Sequence, residues 1–245
     1  MAILGIDIGG SGIKGAPVDV TQGNLAGERF RVETPQPSDV NRVVAAVAEV
    51  AGQFGVAERI GITFPGVVLG GVTRTAANVD KSWLGAPAQD LFAQAVGVPV
   101  TLLNDADAAG IAEMRFGAGR GRKGVTVMLT LGTGIGSAIF IDDRLVPNTE
   151  FGHIQLDGED AEEKASAHAR EVDKLGWGKW AKHVEEYLRE IEKLLNPDLI
   201  IIGGGVSKKS EKFLPLIDLR TPVVPAVLLN EAGIIGAALA AAENG

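Results

Sequence analysis

The sequence predicts an α/β protein in which one plan, a β-hairpin followed by alternating helices and strands, is used twice. Three observations predict it. Two glycine-rich turns of the same design, Ile6-Asp7-Ile8-Gly9-Gly10-Ser11-Gly12-Ile13-Lys14 and Leu129-Thr130-Leu131-Gly132-Thr133-Gly134-Ile135-Gly136-Ser137, each sit between two apolar β-type runs. After each hairpin the chain extends once more and then turns to helical periodicity. The 245 residues, 46% of them hydrophobic, suffice for one large domain or two small ones.

Taken in order, residues 2–8, 13–19 and 25–33 read as extended. A helix is expected over residues 40–54, where Val43, Val47, Val50 and Phe54 recur at helical spacing. A strand at 59–64, the loop 65–71, a short helix at 88–96, a strand at 99–103 and a helix at 106–116 follow, and Gly117 to Gly124 reads as a linker. From Val125 the pattern restarts with a hairpin and a third extended piece. Helices are expected at 161–175 and 179–195, then a strand at 198–202, a helix after Gly203-Gly204-Gly205-Val206-Ser207, and a last helix at 230–242. The expected division is 1–116, with the C-terminal helix 230–243 packing back on it, and 117–229. This is the pattern of duplicated ribonuclease-H-like folds of the actin/hexokinase type, whose ligand lies in the cleft between the halves.

Composition narrows the function. Twenty-three Lys and Arg against 31 Asp and Glu give a net charge of −8, which argues against a general nucleic-acid binder. There are no cysteines, which removes disulfides, thiolate nucleophiles and Cys-based zinc sites and fits a reducing cytoplasm. The first expected strand opens at Ala2, so no secretory leader is expected. Apolar stretches such as Ile234 to Ala242 fall far short of the roughly 20 residues of a membrane span. Basic residues cluster at Arg115, Arg120, Arg122 and Lys123 and at Lys208, Lys209 and Lys212. Solvated surface charge accounts for each cluster alone, but both lie near glycine-rich turns.

An ordinary hairpin turn accounts for either glycine-rich loop alone. Two of them suggest concave N–H clusters that grip a phosphate donor, with glycine reaching positive φ and letting a phosphate approach closely. Asp7 strengthens this, because an unpaired carboxylate buried in an apolar strand costs several kcal/mol and must face a polar site. Gly10, Gly12 and Gly15 also spell GxGxxG, but a dinucleotide site needs a helix directly afterwards, and here the chain meanders. The loop does not fit GxxxxGK[ST] either.

Asn104 and Asp105 follow an apolar strand and precede a helix. One of Asn104, Asp105 and Asp107 is explained as an N-cap, but not all three. Groups beyond the carboxyl ends of parallel strands face a binding crevice, where Asp105 can take the proton of an attacking hydroxyl. Phe64-Pro65-Gly66 offers backbone N–H groups, Asn78 sits in a polar turn, and Glu150-Phe151-Gly152-His153 pairs a carboxylate with an imidazole. Such mixed donors and acceptors suit a polyhydroxyl ligand such as a sugar. His168 and His183 read as surface.

Together, Asp7 to Ser11 with Lys14, Phe64-Pro65-Gly66, Asn104-Asp105, Leu131 to Gly136, Glu150 to His153 and Gly203 to Val206 resemble the ROK family of repressors, open reading frames and sugar kinases over essentially the whole chain. Within it, the motifs are most similar to the polyphosphate-using glucokinases of actinobacteria. The resemblance implies phosphoryl transfer to the 6-hydroxyl of glucose with Asp105 as base. It implies that Gly66, Asn78, Asn104, Asp105, Glu150, His153 and Glu162 hold the sugar. Asp7, Gly9, Gly10, Ser11, Gly12, Lys14, Gly132, Thr133, Gly134, Gly204, Gly205, Lys208 and Lys209 would serve the phosphates, with Mg²⁺ near Asp7 through water. Many members carry a Cys-rich zinc motif after the histidine; here Ile154 to Asp160 contains no cysteine, so no zinc is expected, and the changed length weakens the transfer to Glu162. The family also implies a cytoplasmic homodimer. Polyphosphate and ATP both stay open as donor: Lys14, Arg120, Arg122, Lys123, Lys208, Lys209 and Lys212 offer a cationic track, and Gly203 to Val206 occupies the family's adenosine-contacting position. A strictly ATP-dependent hexokinase acting on glucose, mannose or fructose is the alternative, and a non-catalytic sugar-binding regulator a remote one. Repressors of the family carry a DNA-binding domain before the first turn, and Asp7 is already the seventh residue.

Overall fold

The computed structural model describes residues 2–55, 57–76 and 79–243. The chain forms two compact units: the first runs to Ala112 and takes back the segment from Glu231, and the second is Glu113–Asn230.

In the first unit the strands Ala2–Ile8 and Ile13–Asp19 form the expected antiparallel hairpin. The third extended piece is two short strands, Asn24–Leu25 and Phe30–Val32, both paired to Ile13–Asp19. Ile60–Phe64 then pairs in parallel with the first strand, and Val100–Asn104 with Ile60–Phe64. Parallel strands need crossovers. The helix Val40–Gly52, capped by Asp39 through the Arg42 N–H at 3.1 Å, supplies one, and Ala88–Val96 the other.

The C-terminal helix Ala232–Glu243 lies on these strands and buries nearly every residue. Gly61 makes this possible, since a Cβ there would collide with the carbonyl of Ala237. With no polar face to present, the segment reads as apolar all round, as a helix enclosed by its own unit should.

The second unit repeats the order. Val125–Leu131 and Ile135–Ile141 form a hairpin, Arg144–Val146 extends it, and Leu199–Gly203 and Val223–Pro225 add in parallel on the other side. The helix Trp177–Leu195 packs Trp180, Val184, Tyr187, Leu188 and Ile191 onto this sheet at 3- and 4-residue spacing.

Three expectations change, and one element is new. Residues 161–175 form two short helices, Glu162–Ala165 and Ala167–Val172. Ser166 is extended between them and caps the second by accepting the Ala169 N–H at 3.1 Å. The segment Gly205–Lys212 is two short 3₁₀ turns kinked at Lys209 rather than one continuous helix, opened by the i to i+3 bond from Ser207 N–H to the Gly204 carbonyl at 3.1 Å. Residues 154–160 form a small hairpin, Gln155–Leu156 with Glu159–Asp160. Gly117 to Gly124 is not a loose linker. The fully buried Glu113 accepts the Ala118 N–H at 2.8 Å on one oxygen and the N–H groups of Val227 and Leu228 at 2.9 and 2.7 Å on the other.

Candidate active site

Strand direction assembles the first group of residues. Asp7 pairs with Thr63, Thr63 with Leu103, and Phe64 with Asn104, so the ends of three parallel strands bring Asp7, Gly66, Asn104 and Asp105 to one edge of the first sheet. Asp7 is largely buried and answered on both oxygens: Thr63 Oγ1 donates to Oδ1 at 2.7 Å and Lys14 Nζ lies 2.9 Å from Oδ2. It also packs against Gly233 in the first turn of Ala232–Glu243, where the helix dipole favours an anion.

Asn104, buried at the strand end, caps the following helix Asp105–Phe116. Its Oδ1 accepts the N–H groups of Ala106 and Asp107 at 2.8 and 3.0 Å, and its Nδ2 donates to the Gly66 carbonyl at 3.2 Å. Asp105 is half-buried beside it, oriented by the Ala106 N–H on Oδ1 at 2.9 Å. The loop Phe64-Pro65-Gly66 does not offer N–H groups as expected: Pro65 has none, and the Gly66 N–H turns back onto the Phe64 carbonyl at 2.9 Å. What the loop presents is the carbonyl that holds Asn104. Asn78 lies outside the described residues.

The two glycine-rich turns are tight hairpin turns closed by Gly9 N–H to the Gly12 carbonyl at 3.1 Å and Gly132 N–H to the Gly134 carbonyl at 2.9 Å. The N–H groups of Gly10, Ser11 and Thr133 are exposed and have no partner among the described residues. None of the glycines at 9, 10, 12, 132 or 134 has a positive φ, so backbone freedom is not why they are glycine. At Gly12 and Gly134 space is the reason. A Cβ on Gly12 would strike the Arg31 guanidinium, which donates to the Ser11 carbonyl at 2.6 Å, and one on Gly134 would strike the Glu162 carboxylate. Gly10, Gly132 and Gly205 face open space. Of the glycines assigned to phosphate, Gly204 alone has a positive φ, 80°, and it packs against the Leu131 backbone.

Arg31 is a residue that the sequence reading missed. Its signal is the register, since Phe30–Val32 pairs with the second strand and sets Arg31 opposite Lys14 beside the first turn.

In the second unit Glu150, His153, Asp160 and Glu162 form one cluster. His153 Nδ1 lies 2.8 Å from Asp160 Oδ2 and 4.0 Å from Glu162 Oε1, and its Nε2 lies 3.9 Å from Glu150 Oε2. Glu162 is held in turn by the Ile135 N–H at 2.9 Å on Oε2. The hydrogen bond from Nδ1 to Asp160, supported by the charges of Glu162, Asp160 and Glu150, holds the imidazole above its ordinary value against the opposing effect of burial. Burial raises Glu150, partly offset by His153. Asp160 was also missed, although Asp157-Gly158 is a strong two-residue hairpin signal.

Beside the second turn, a cavity of about 280 Å³ is lined by Gly132, Thr133, Trp177, Gly205, Val206 and Lys209, among others. Trp177 is stacked under Arg170, 3.9 Å from the ring centroid, and Lys212 Nζ lies 5.7 Å from the same ring. Lys208, Lys209 and Lys212 are all exposed. His168 is exposed as expected, while His183 is half-buried.

The ROK family model matches residues 3–170. The chain belongs to the ROK family. It is 53% identical over 242 residues to a polyphosphate glucokinase of Mycobacterium tuberculosis, covering 98% of this chain and 91% of that one. The crystal structure of an inorganic polyphosphate/ATP-glucomannokinase from Arthrobacter sp. strain KM superposes with a TM-score of 0.97 at 51% identity, over 100% of this chain and 99% of that one. A ROK family glucokinase from Streptomyces griseus, solved in complex with glucose and AMPPNP, gives a TM-score of 0.84 at 28% identity, over 99% of this chain and 100% of that one. These ROK kinases share the actin/hexokinase-type α/β fold with this chain.

Among the described residues, no group of three or more His, Cys, Asp and Glu is arranged to hold a metal ion. Mg²⁺ in phosphoryl transfer needs only one or two carboxylates, with phosphate oxygens and water completing its shell. Asp7, ordered on Thr63 and Lys14 beside the first turn, fits that smaller demand.

Proposed function

We propose that this ROK protein is a polyphosphate-dependent glucokinase that moves the terminal phosphoryl group of inorganic polyphosphate to the 6-hydroxyl of glucose and retains ATP as a second donor. The observation that carries the reading is the combination of 53% identity to a polyphosphate glucokinase across 98% of the chain with a carboxylate, Asp105, fixed at a strand end.

The sugar 6-oxygen attacks the terminal phosphorus, its proton passes to the Asp105 carboxylate, and the shortened polyphosphate or ADP leaves with the electron pair of the broken P–O bond. Asn104, Glu150, His153 and Glu162, with Asn78, hold the remaining hydroxyls, which orients the one to be phosphorylated. The exposed N–H groups of Gly10, Ser11 and Thr133, with Lys14 and Arg31, bind phosphate oxygens and stabilise charge that develops on them. Mg²⁺, when bound, neutralises charge on the transferred phosphoryl group; Asp7 would support it through water. The cavity beside Gly132 and Gly205 is of the chemistry and place to take the nucleoside of ATP, while Lys208, Lys209 and Lys212 suit a polymer with no nucleoside to recognise. The reading includes a homodimer in the cytoplasm.

The test is to incubate the protein with glucose and Mg²⁺, and separately polyphosphate and ATP, and to measure glucose 6-phosphate. Formation with polyphosphate supports the reading. Product from ATP alone would make this an ATP-dependent ROK hexokinase, and no product from either donor would leave a sugar-binding protein. Mannose as acceptor in the same assay defines the sugar range.

A further inference from the structure

Asp160 has no role in any of this, yet it makes the shortest contact to His153. The hairpin places it there. Asp157 and Gly158 adopt φ of 54° and 84°, the two positive values of a type I′ turn, and this fixes Gln155 opposite Asp160. The hairpin is fastened at its base by the Ala161 N–H to the Ile154 carbonyl at 2.8 Å, and by Lys164 on Glu159 at 3.0 Å. Asp160 therefore meets His153 Nδ1 at 2.8 Å from a hairpin fastened at its base, while Glu150 and Glu162 stand off at 3.9 and 4.0 Å.

We propose that Asp160 is a positioning residue, which fixes the proton of His153 on Nδ1 and so decides what Nε2 offers to a sugar hydroxyl. The inference rests on the glucokinase reading and deepens it. An ionised carboxylate only accepts hydrogen bonds, so Nδ1 carries a proton in both charge states of the ring. Nε2 is then a donor when the ring is charged and an acceptor when it is neutral. Asp160, Glu150 and Glu162 are the carboxylates facing the ring, and all three favour the charged form. Asp160 alone among them also fixes the ring plane, because it alone is within hydrogen-bond distance. In the proposed binding form the ring is charged and donates from Nε2 to the sugar hydroxyl.

Two variants of the full-length protein separate charge from orientation. Asp160→Asn keeps an oxygen that accepts from Nδ1 but removes the charge; Asp160→Ala removes both. The imidazole of His153, assigned by its loss in His153→Asn, is titrated by NMR, and glucose kinetics are followed between about pH 6 and 9. In Asp160→Asn the titration midpoint should fall, and the alkaline rise in glucose KM should begin at correspondingly lower pH. In Asp160→Ala the glucose KM should rise about tenfold or more, in line with loss of a charge-assisted hydrogen bond, while the polyphosphate KM stays put. An unmoved midpoint in Asp160→Asn overturns the proposal, as does an equal rise in both KM values. A parent protein without glucose turnover sinks the functional reading and the sugar contact with it, whereas the titration judges the Asp160 to His153 coupling independently.

Discussion

The side-chain oxygen of Asn104 accepts the backbone N–H of Asp107 at 3.0 Å, which makes Asn104 the cap of the helix Asp105–Phe116 and relieves Asp105 of that duty. The same side chain ties the helix start to the Gly66 carbonyl at 3.2 Å. Replacing Asn104 with Ala removes a cap worth about 1 kcal/mol and leaves that carbonyl unanswered by Nδ2. A lower urea midpoint together with a raised glucose KM is expected. A stability loss with unchanged kinetics would make Asn104 a cap and nothing more.

Gly134 is tested through Glu162. The turn was read as a phosphate loop, but the space above Gly134 is filled by the carboxylate that accepts the Ile135 N–H at 2.9 Å. Gly134→Ala should displace Glu162 and raise the KM for glucose more than that for polyphosphate. The reverse order in steady-state kinetics would return Gly134 to the donor.

His153 sets the sign of one part of the pH dependence of stability. Its folded pKa lies above the ordinary 6.5 chiefly through the hydrogen bond to Asp160. A group that binds its proton more tightly when folded stabilises fully below its unfolded value, and that contribution is lost as pH rises through the folded value. The difference in urea midpoint between the parent and His153→Asn should therefore be largest below pH 6.5 and shrink on the alkaline side. Glu150, raised by burial, follows the same rule in the acid range. Glu150→Gln should not show the loss of stability that the parent suffers as this carboxyl ionises. A midpoint difference that grows with pH for His153→Asn would contradict the assignment.

The donor track is tested by charge removal. Lys208, Lys209 and Lys212 are exposed, and Lys212 approaches the Trp177 ring at the rim of the cavity beside the second turn. Replacing all three with Ala should raise the polyphosphate KM and flatten its salt dependence, because fewer phosphate contacts remain to be screened. The glucose KM should hold. Equal losses with ATP and polyphosphate, measured at two salt concentrations, would assign the lysines to a shared phosphate site or to stability.

Much of the frame was legible because it is periodic: the two hairpins, the helix from Val40 and the helix ending at Leu195 carry their spacing in the residues. Asn104 and Asp105 were legible because polar residues at a strand end have few other uses. Asp160 was not, since the reading followed the missing cysteines of residues 154–160 and passed over Asp157-Gly158, whose left-handed geometry folds the segment back onto His153. Nor was Ser166, whose cap breaks a stretch that apolar spacing alone would continue. Glu113 was not singled out either; only the fold brings the N–H groups of Val227 and Leu228, 114 and 115 positions away, onto its carboxylate. Long-range partners of this kind leave no local pattern.

The proposed mechanism has Asp105 accept the proton of the attacking sugar hydroxyl. Its most direct test is the turnover of Asp105→Asn with glucose and polyphosphate, measured beside glucose affinity by calorimetry and the melting temperature. The carboxamide keeps the size of the side chain and an oxygen for the Ala106 N–H, so fold and sugar affinity should be retained. Turnover should fall by about 10² to 10⁴, the range for loss of a positioned base. Turnover within a few fold of the parent, with sugar affinity intact, would remove Asp105 from the chemistry and contradict the mechanism.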